Sequence, residues 1–442
     1  MFPDGPVRLD EMVSRLEHAL ALSPAEFTEI SWLEVRRGQE SNGKRRRDSY
    51  EQHERTVLLR VRESGRTGMH RTSLSGRSDL ENATRQALAQ ARLSPPTPPP
   101  LPPPGHDAPV DTAGLCDPEL ARMAPPKARE MLQRLAEKGE TARLGWSEGR
   151  IAVAGSRGLR RAAEVTSGWI EVIRGRQPGA GRAAAAARSL TGLDLPGVFA
   201  RARRRQGPPD VVPPPEAATS LLLSQEATAG LLELLNRQAF TSDSFHSGVS
   251  FLRDKLGQPV FHTAISLRDD PTDPRGLPFP FDVLGAAARP IDLVAGGVAL
   301  TPAVDDRLAR ELGVASTPQR VAPDEAVPAH LFLLSGEASE EEMLRAADGG
   351  LWVPALERIE GYDASALRFR AVARGVRLIA GGALGRSLPD LVWEDDLRRV
   401  LSQVLAVGSE LVPLATGAGL FRATTAPMLA VAGVAGLRFA LD

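Results

Sequence analysis

The chain has 442 residues, of which 42% are hydrophobic and 25% are charged, a balance typical of globular proteins long enough for two or three domains. Its formal net charge of −1 argues against a nucleic-acid partner, because modules that bind nucleic acid through bulk electrostatics are strongly basic. The single cysteine, Cys116, excludes an intrachain disulfide and a thiolate metal cluster.

The composition also indicates where the protein resides. Residues 1–20 carry charged side chains throughout, so they lack the apolar core of a signal peptide. The sequence contains no stretch of about 18 apolar residues, which is the length that would predict a membrane span. We therefore expect a cytoplasmic protein with no membrane partner. Arginine outnumbers lysine, and alanine, proline and glycine are abundant, which is typical of a GC-rich bacterial genome.

The N-terminal region alternates between helical and extended patterns. Apolar residues at helical spacing predict helices over 7–21 and 79–93. Between them, alternating apolar residues predict strands over 30–36 and 56–63, followed by a further short strand. We interpret residues 1–94 as an α+β domain with its helices packed on one face of a sheet.

Two polar segments interrupt or follow this domain. The basic run at 44–47 indicates a solvated hairpin end, because acidic residues follow it closely. A phosphate-binding patch is the alternative for that run. Residues 95–110 are rich in proline and predict an extended, semi-rigid linker.

Residues 111–208 predict a middle α+β segment that packs with the first domain. Its basic end, 201–205, is expected to face solvent. The alanine run within it favours a helix start or a close packing contact. The predicted elements are helices over 118–138 and 195–205, strands over 145–153 and 165–174, and the alanine run at 183–187.

Residues 209–442 contain many short strands separated by glycine turns. We expect a β-rich, curved-sheet or barrel-like C-terminal domain carrying one central helix, which with the N-terminal mixed helix/sheet region gives an α+β fold class. The predicted elements are strands over 260–267, 290–300, 331–334, 351–354, 368–373, 376–380 and 426–434, and helices over 339–347 and 393–408.

The central helix is predicted over 220–238, which reads SLLLSQEATAGLLELLNRQ. Leu223, Ala227, Leu231 and Leu234 recur at helical spacing and form one apolar stripe. Glu226 falls on another face of the same predicted helix.

Around this helix, a series of short blocks resembles the TldD/PmbA family of metallopeptidases and their partners. Each block is a weak signal alone, but their order and spacing together are fairly specific. Leu284 and Pro318 depart from the family pattern, where glutamate and glycine are usual. The matching blocks are 256–274 (LGQPVFHTAISLRDDPTDP), 281–285, 293–298, 316–317, 328–336, 339–342 and 364–369.

The resemblance implies that this chain belongs to the metal-free TldE/PmbA-like kind. At the central helix the metal-bearing kind carries His-Glu-x-x-x-His, where this chain has Gln225, Glu226 and Gly230. A glutamine amide is a poor zinc ligand and glycine offers no side chain. The C-terminal cysteine ligand is also absent, and residues 416–419 occupy that region. Without a metal no water is activated, so Glu226 becomes a relic position rather than a general base.

The resemblance further implies a heterodimer in which a TldD-like subunit holds zinc and cuts unfolded peptides. This chain, with no cofactor of its own, would help admit and position the peptide, for example by pairing a sheet edge with its backbone. The candidate groove residues are Glu226, His246, His262, Asp282 and Gly285.

Two other functions remain open. The chain is alternatively a stand-alone, homodimeric peptide-binding or scaffold protein that has lost peptidase activity. The third hypothesis is an enzyme with a relocated site. A metal site formed by His246, His262 and Asp282 is less favoured because scattered histidines more often have structural roles. A Ser-His-Asp hydrolase is no better supported, since the sequence has no G-x-S-x-G elbow.

Overall fold

The computed structural model describes residues 7–43, 49–74, 79–103, 105, 108–213, 219–415, 422–434 and 436–439. The basic run at 44–47 and the segment 416–419 therefore lie outside the described residues. Helices and strands alternate in the N-terminal half, and sheets dominate the C-terminal half, as the sequence predicts. No helix within the described ranges is both long enough and apolar enough to cross a membrane.

The N-terminal half is built on one antiparallel sheet with the strand order β3-β2-β1-β4-β5-β6. Its strands are β1 (Phe27–Ser41), β2 (Tyr50–Glu63), β3 (Arg66–Ser73), β4 (Glu140–Gly155), β5 (Arg160–Arg174) and β6 (Gly181–Ala187). Its helices are α1 (Leu9–Leu22), α2 (Asp79–Leu93), α3 (Pro118–Ala121), α4 (Pro125–Leu135) and α5 (Leu195–Arg204). The order helix, three strands, helix occurs twice, and the two copies join through antiparallel pairing of β1 with β4.

Two N-terminal predictions were wrong in detail. The predicted helix over 118–138 is broken into α3 and α4, because Pro125 and Pro126 have no backbone N–H and begin a new helix. The alanine run is not a helix start but forms β6, which pairs with β5 along its length. Pairing and burial within the sheet outweigh the helix propensity of alanine here.

The proline-rich linker lies against both halves of the molecule. Arg62 Nη1 donates to the Thr97 carbonyl at 2.8 Å, and the Leu101 N–H donates to Asp306 Oδ2 at 3.2 Å. The same Asp306 oxygen accepts from Arg60 Nη1 at 3.0 Å, and Asp306 Oδ1 accepts from Arg320 Nη2 at 2.6 Å. One carboxylate thus connects the linker, the N-terminal sheet and the C-terminal half.

The C-terminal half contains two six-stranded sheets, one four-stranded sheet and a small hairpin, and none of them closes into a barrel within the described ranges. The helices are α6 (Gln225–Leu235), α7 (Ser242–His246), α8 (Asp306–Leu312), α9 (Glu340–Ala346) and α10 (Leu397–Ser402). The strands are β7 (Thr219–Leu223), β8 (Leu267–Asp269), β9 (Ile291–Ala295), β10 (Val298–Ala299), β11 (Arg320–Ala322), β12 (Glu325–Ala326), β13 (His330–Leu333), β14 (Leu351–Val353), β15 (Ala355–Asp363), β16 (Arg368–Arg374), β17 (Arg377–Ala380), β18 (Ala383–Ser387), β19 (Leu391–Asp396), β20 (Val404–Val407), β21 (Val412–Ala415), β22 (Ala423–Ala426), β23 (Leu429–Val434) and β24 (Leu437–Phe439).

The sheets surround α6, the central helix. The orders of the two large sheets are β10-β9-β8-β13-β22-β21 and β18-β17-β14-β7-β23-β20. The four-stranded sheet, β15-β16-β19-β24, packs against α6 through β15. The leucines of α6 are fully buried in the largest apolar cluster of the protein, which spans all three sheets.

The predicted helix over 220–238 was wrong at its start. Leu221, Leu222 and Leu223 form the central strand β7, parallel to β14 and antiparallel to β23, and the helix begins only after Ser224. Similarly, 393–408 folds as strand, short helix and strand, because Asp396 Oδ1 caps α10 by accepting from the Arg398 N–H at 2.8 Å. The predicted strand over 260–267 is irregular except at its end, where β8 begins.

Candidate functional site

The first turn of α6 places Gln225 and Glu226 against the N-terminal half. Ser224 caps the helix, its hydroxyl accepting from the Ala227 N–H at 3.1 Å. Gln225 is 1% exposed, and its neighbour Glu226 reaches toward β6 and the end of α5. The two residues that resemble the metal-site motif therefore lie at the junction between the two halves.

Arg205 occupies the position facing both of these side chains. Its Nη1 donates to Glu226 Oε1 at 3.0 Å and to Oε2 at 3.1 Å, and its Nη2 donates to Gln225 Oε1 at 2.8 Å. The guanidinium also donates to the Arg182 carbonyl at 3.1 Å and lies 5.4 Å from the ring centre of Trp352. Arg205 does not face solvent, contrary to the sequence expectation, since its side chain is only 6% exposed.

Glu226 is fully engaged in this arrangement. Its Oε1 accepts from the Ala184 N–H at 2.9 Å in addition to Arg205, so the carboxylate connects α6 to the edge strand β6. A general base needs a free lone pair directed at a substrate proton. The contacts of Glu226 instead make it one half of a largely buried ion pair that joins the two halves of the molecule.

Gly230 lies close to a neighbouring side chain. A Cβ at this position would lie 2.6 Å from Ile359 Cδ1, on the strand β15 that packs against α6. No group of three or more histidine, cysteine, aspartate or glutamate side chains able to hold a metal occurs among the described residues. An amide, an engaged carboxylate and a guanidinium cation do not fit a zinc ion, which needs three donors with available lone pairs.

This close contact gives a testable prediction at Gly230. Alanine should be tolerated, because its better helix propensity, about 1 kcal/mol, offsets a small movement of the flexible end of Ile359. Histidine should destabilise the protein by about 1–3 kcal/mol, because a ring cannot fit between α6 and β15. Urea denaturation of Gly230→Ala and Gly230→His checks both, and an equally stable histidine variant would contradict the packing argument.

The two candidate histidines have local structural contacts. His246 ends α7, and its Nε2 lies 2.9 Å from Asp305 Oδ2, on the residue that caps α8. His262 Nδ1 accepts from the Ala264 N–H at 3.1 Å within a turn. Neither lines the cavity beside Asp282 that is described below, so the structure does not bring them together with Asp282 there.

Asp282 and Gly285 lie where the two halves meet. Asp282 Oδ1 accepts from the N–H groups of Leu284 and Ala286, at 2.9 and 3.0 Å, and Oδ2 accepts from the Arg320 N–H at 3.1 Å. Gly285 has φ of +80°, and a Cβ there would lie 2.8 Å from Leu159 Cδ2 of the N-terminal half. Asp282 thus organises a tight loop, and Gly285 allows that loop to approach the other half closely.

A cavity of about 400 Å³ lies beside this loop, between the N-terminal sheet and the C-terminal half. Leu33, Val35 and Leu58 form its wall on the sheet side, and Phe279 and Phe281 lie opposite. Such a volume with apolar walls is typical of ligand pockets, which occupy roughly 300–1,000 Å³.

Three buried titratable groups line this cavity, and the sequence singled out only one of them. Burial raises the pKa of Asp269 to about 7 and that of Asp282 to about 6. Burial, together with the nearby Arg188 cation, lowers the pKa of His330 to about 3. Asp269 and His330 were not predicted as site residues, because each looks in the sequence like part of an ordinary loop or strand. The available signal was that both lie in blocks that resemble the family, 256–274 and 328–336.

Known proteins are similar to this chain at two levels, a family model over its C-terminal half and solved structures over nearly its whole length. The model of the PmbA/TldA metallopeptidase C-terminal domain matches residues 216–436, which is half of the chain. A search of curated protein sequences returned no match.

Solved structures share the fold over nearly the whole length. TldE from Thermococcus kodakarensis is 21% identical, with a TM-score of 0.82, over 95% of this chain and 99% of that one. A Thermotoga maritima protein described as a modulator of DNA gyrase is 20% identical, with a TM-score of 0.81, over 96% and 99%. A Bacteroides thetaiotaomicron protein with a similar description is 16% identical, with a TM-score of 0.73, over 96% and 98%. The matched C-terminal domain and the shared fold confirm the resemblance seen in the sequence, and the chain belongs to the PmbA/TldD family.

Proposed function

We propose that this chain is a non-catalytic, TldE/PmbA-like subunit that helps position unfolded peptides for a zinc-bearing TldD-like partner. The observation that supports this most is the pairing of Arg205 with Gln225 and Glu226. A built-in cation lies against the residues that correspond to the metal site of the other kind of subunit. The likeness to the TldE structure supports the same proposal at the level of fold.

In this proposal the two subunits have different roles, one supplying the reactive group and the other supplying binding surface. Zinc chemistry requires an open coordination position at which water is activated. The donors of Gln225 and Glu226 are engaged with Arg205, which supports the proposal that the reactive group comes from another subunit. This chain then contributes binding surface, and the cavity between its halves is available for that purpose.

A reconstitution experiment tests the proposal. The purified chain should hold less than 0.1 zinc per molecule, on the order expected of adventitious metal, and should not cleave unfolded casein. A zinc-bearing TldD-like chain from the same genome should gain at least tenfold cleavage when this chain is added, and the mixture should elute as a heterodimer in light scattering.

Each other outcome has a definite meaning. One tightly held zinc per molecule of the isolated chain would contradict the proposal. A stable homodimer that ignores the TldD-like chain but binds peptides would favour the stand-alone binding function. Cleavage by the isolated chain that survives metal chelation would indicate a relocated active site.

A further inference from the structure

The cavity between the two halves contains buried polar atoms that its apolar walls do not satisfy. Asp269, Gln319 and His330 are 1%, 4% and 5% exposed. Gln319 Oε1 and His330 Nδ1 have no hydrogen-bond partner among the described residues. Gln319 Nε2 and Asp269 Oδ2 have at most each other, since hydrogen bonding from the Gln319 side chain lowers the pKa of the Asp269 carboxyl. Leaving a polar group buried and unpaired costs about 1–3 kcal/mol. Such a group of atoms in one cavity indicates that a ligand supplies the missing partner.

The unpaired atoms are mainly hydrogen-bond acceptors. The His330 ring is neutral and shares a hydrogen bond with the backbone of Leu277, so its remaining nitrogen, Nδ1, accepts. Gln319 Oε1 is an amide carbonyl oxygen and can only accept. A ligand that fills this cavity therefore needs an N–H or O–H donor at its buried end.

The walls require that the rest of the ligand be apolar and flat. The Phe279 ring stacks on the His330 imidazole at an interplanar angle of 15° and a centroid distance of 6.4 Å. The ring centroids of Phe281 and Phe279 are 6.2 Å apart, and the two rings are tilted by 60°. Two phenyl rings and an imidazole match an aromatic group, which packs offset or edge-on against other rings.

The charges in the cavity favour a neutral ligand. Arg37 is paired with Glu54 at 2.6 Å on the sheet side. The buried Arg188 donates to the carbonyl groups of Pro278 and Leu277, both at 2.9 Å, on the side of Phe279. Asp282 is already satisfied by three backbone N–H groups. Arg71 and Arg422 also line the cavity, but neither is buried, so its buried end offers an added ion no dedicated counter-ion.

We propose that this cavity is a side-chain pocket for the peptide, and that it selects tryptophan or tyrosine over phenylalanine. This inference rests on the proposed peptide-positioning function. An indole N–H or a phenol O–H supplies the donor that Gln319 Oε1 lacks, and the ring fills the space between Phe279 and the N-terminal sheet. Phenylalanine fills the same space but leaves the acceptors unpaired.

Calorimetric titration of the isolated full chain tests the proposal directly. The probes are the blocked tripeptides N-acetyl-Gly-Trp-Gly-amide, its tyrosine and phenylalanine counterparts, and free tryptophan. The tryptophan and tyrosine peptides should bind threefold to tenfold more tightly than the phenylalanine peptide, the range expected of one hydrogen bond. Equal affinities for all three peptides would overturn the selectivity. Free tryptophan binding as tightly as its peptide would instead assign the pocket to a small molecule.

Two variants separate the apolar walls from the polar atoms. Gln319→Leu should reduce the preference for tryptophan over phenylalanine to less than twofold, because Gln319 can be changed without breaking a backbone contact. Ala288→Phe fills the cavity and should weaken the binding of all three peptides at least tenfold. Ala364 is half-buried in a distant turn, so Ala364→Phe should leave the affinity for the peptides unchanged. An unchanged preference in Gln319→Leu would contradict the proposal.

The design also covers variants that fail to fold. Thermal melting verifies each protein, and if Ala288→Phe is unfolded then Val321→Phe fills the same cavity from β11. These titrations need neither a partner nor zinc. Peptide selectivity without reconstituted cleavage would therefore reject only the proposed function, and cleavage without selectivity would reject only the pocket.

Discussion

Replacing Arg205 with alanine should lower the free energy of unfolding by about 3–5 kcal/mol, the usual cost of removing one partner of a buried ion pair. The substitution leaves Glu226 at a site where its side chain is 15% exposed, with the Ala184 N–H as its remaining donor. It also removes the cation from the face of Trp352. Urea denaturation followed by circular dichroism measures the change.

The control for this prediction is the neighbouring residue. Arg204 is exposed on the same helix, so Arg204→Ala should change stability by less than about 0.5 kcal/mol. Glu226→Gln should lower the free energy of unfolding by only about 1 kcal/mol, less than Arg205→Ala, because the amide oxygen still accepts from Arg205 and Ala184. If Arg205→Ala is as stable as Arg204→Ala, the ion pair does not hold the halves together.

The second large effect concerns pH. Asp269→Asn should make the protein more stable than the wild type at pH 8, by about 2–4 kcal/mol, and should have little effect near pH 4. In the folded protein burial raises the pKa of Asp269 to about 7, against an ordinary value of 3.8. Asparagine carries no charge at any pH, and its side-chain oxygen can still accept the hydrogen bond that the backbone N–H of His330 donates to Asp269 Oδ1 at 2.6 Å.

The direction of the pH effect on stability follows from how many protons the folded and unfolded states bind. Below pH 3.8 the carboxyl is protonated in both the folded and unfolded states, so it does not affect their balance. Between pH 3.8 and about 7 the folded state binds more protons, so the wild type loses stability as pH rises. Above pH 7 the cost of burying the charge is complete. Asp254→Asn, on a side chain that is 81% exposed, is the control and should not change the pH profile. A pH-independent effect of Asp269→Asn would contradict the burial argument.

The sequence predicted the N-terminal helices and strands well because their patterns are local. The helix α2 has the predicted bounds, β4 extends its predicted strand at both ends, and β5 begins five residues before its predicted strand and ends with it. Alternation and helical spacing report which face of an element is apolar, and both patterns are visible in this region although the sheet is buried on both faces at its centre.

The central stretch was harder for a physical reason. A strand buried on both faces shows a continuous apolar run, which cannot be distinguished from the start of a buried helix by periodicity. Leu221, Leu222 and Leu223 form such a run, so β7 and α6 were predicted as one helix.

The site was only partly accessible from sequence. The positions Gln225, Glu226 and Gly230 were identified through the family resemblance, since the motif is contiguous along the chain. Arg205 lies 20 residues earlier, and its contact depends on how the end of α5 meets α6. The cavity was missed for the same reason, because its lining comes from β1, β2, β3 and several separate C-terminal segments.

The carboxylate of Asp306 has a consequence for how the molecule can move. Its donors come from the linker, from Arg60 of β2 and from Arg320 of β11. A hinge opening between the halves would break all three of these charge-assisted hydrogen bonds together, at a cost of several kcal/mol. Any companion subunit should therefore meet two halves that are already joined, not two lobes that close around it.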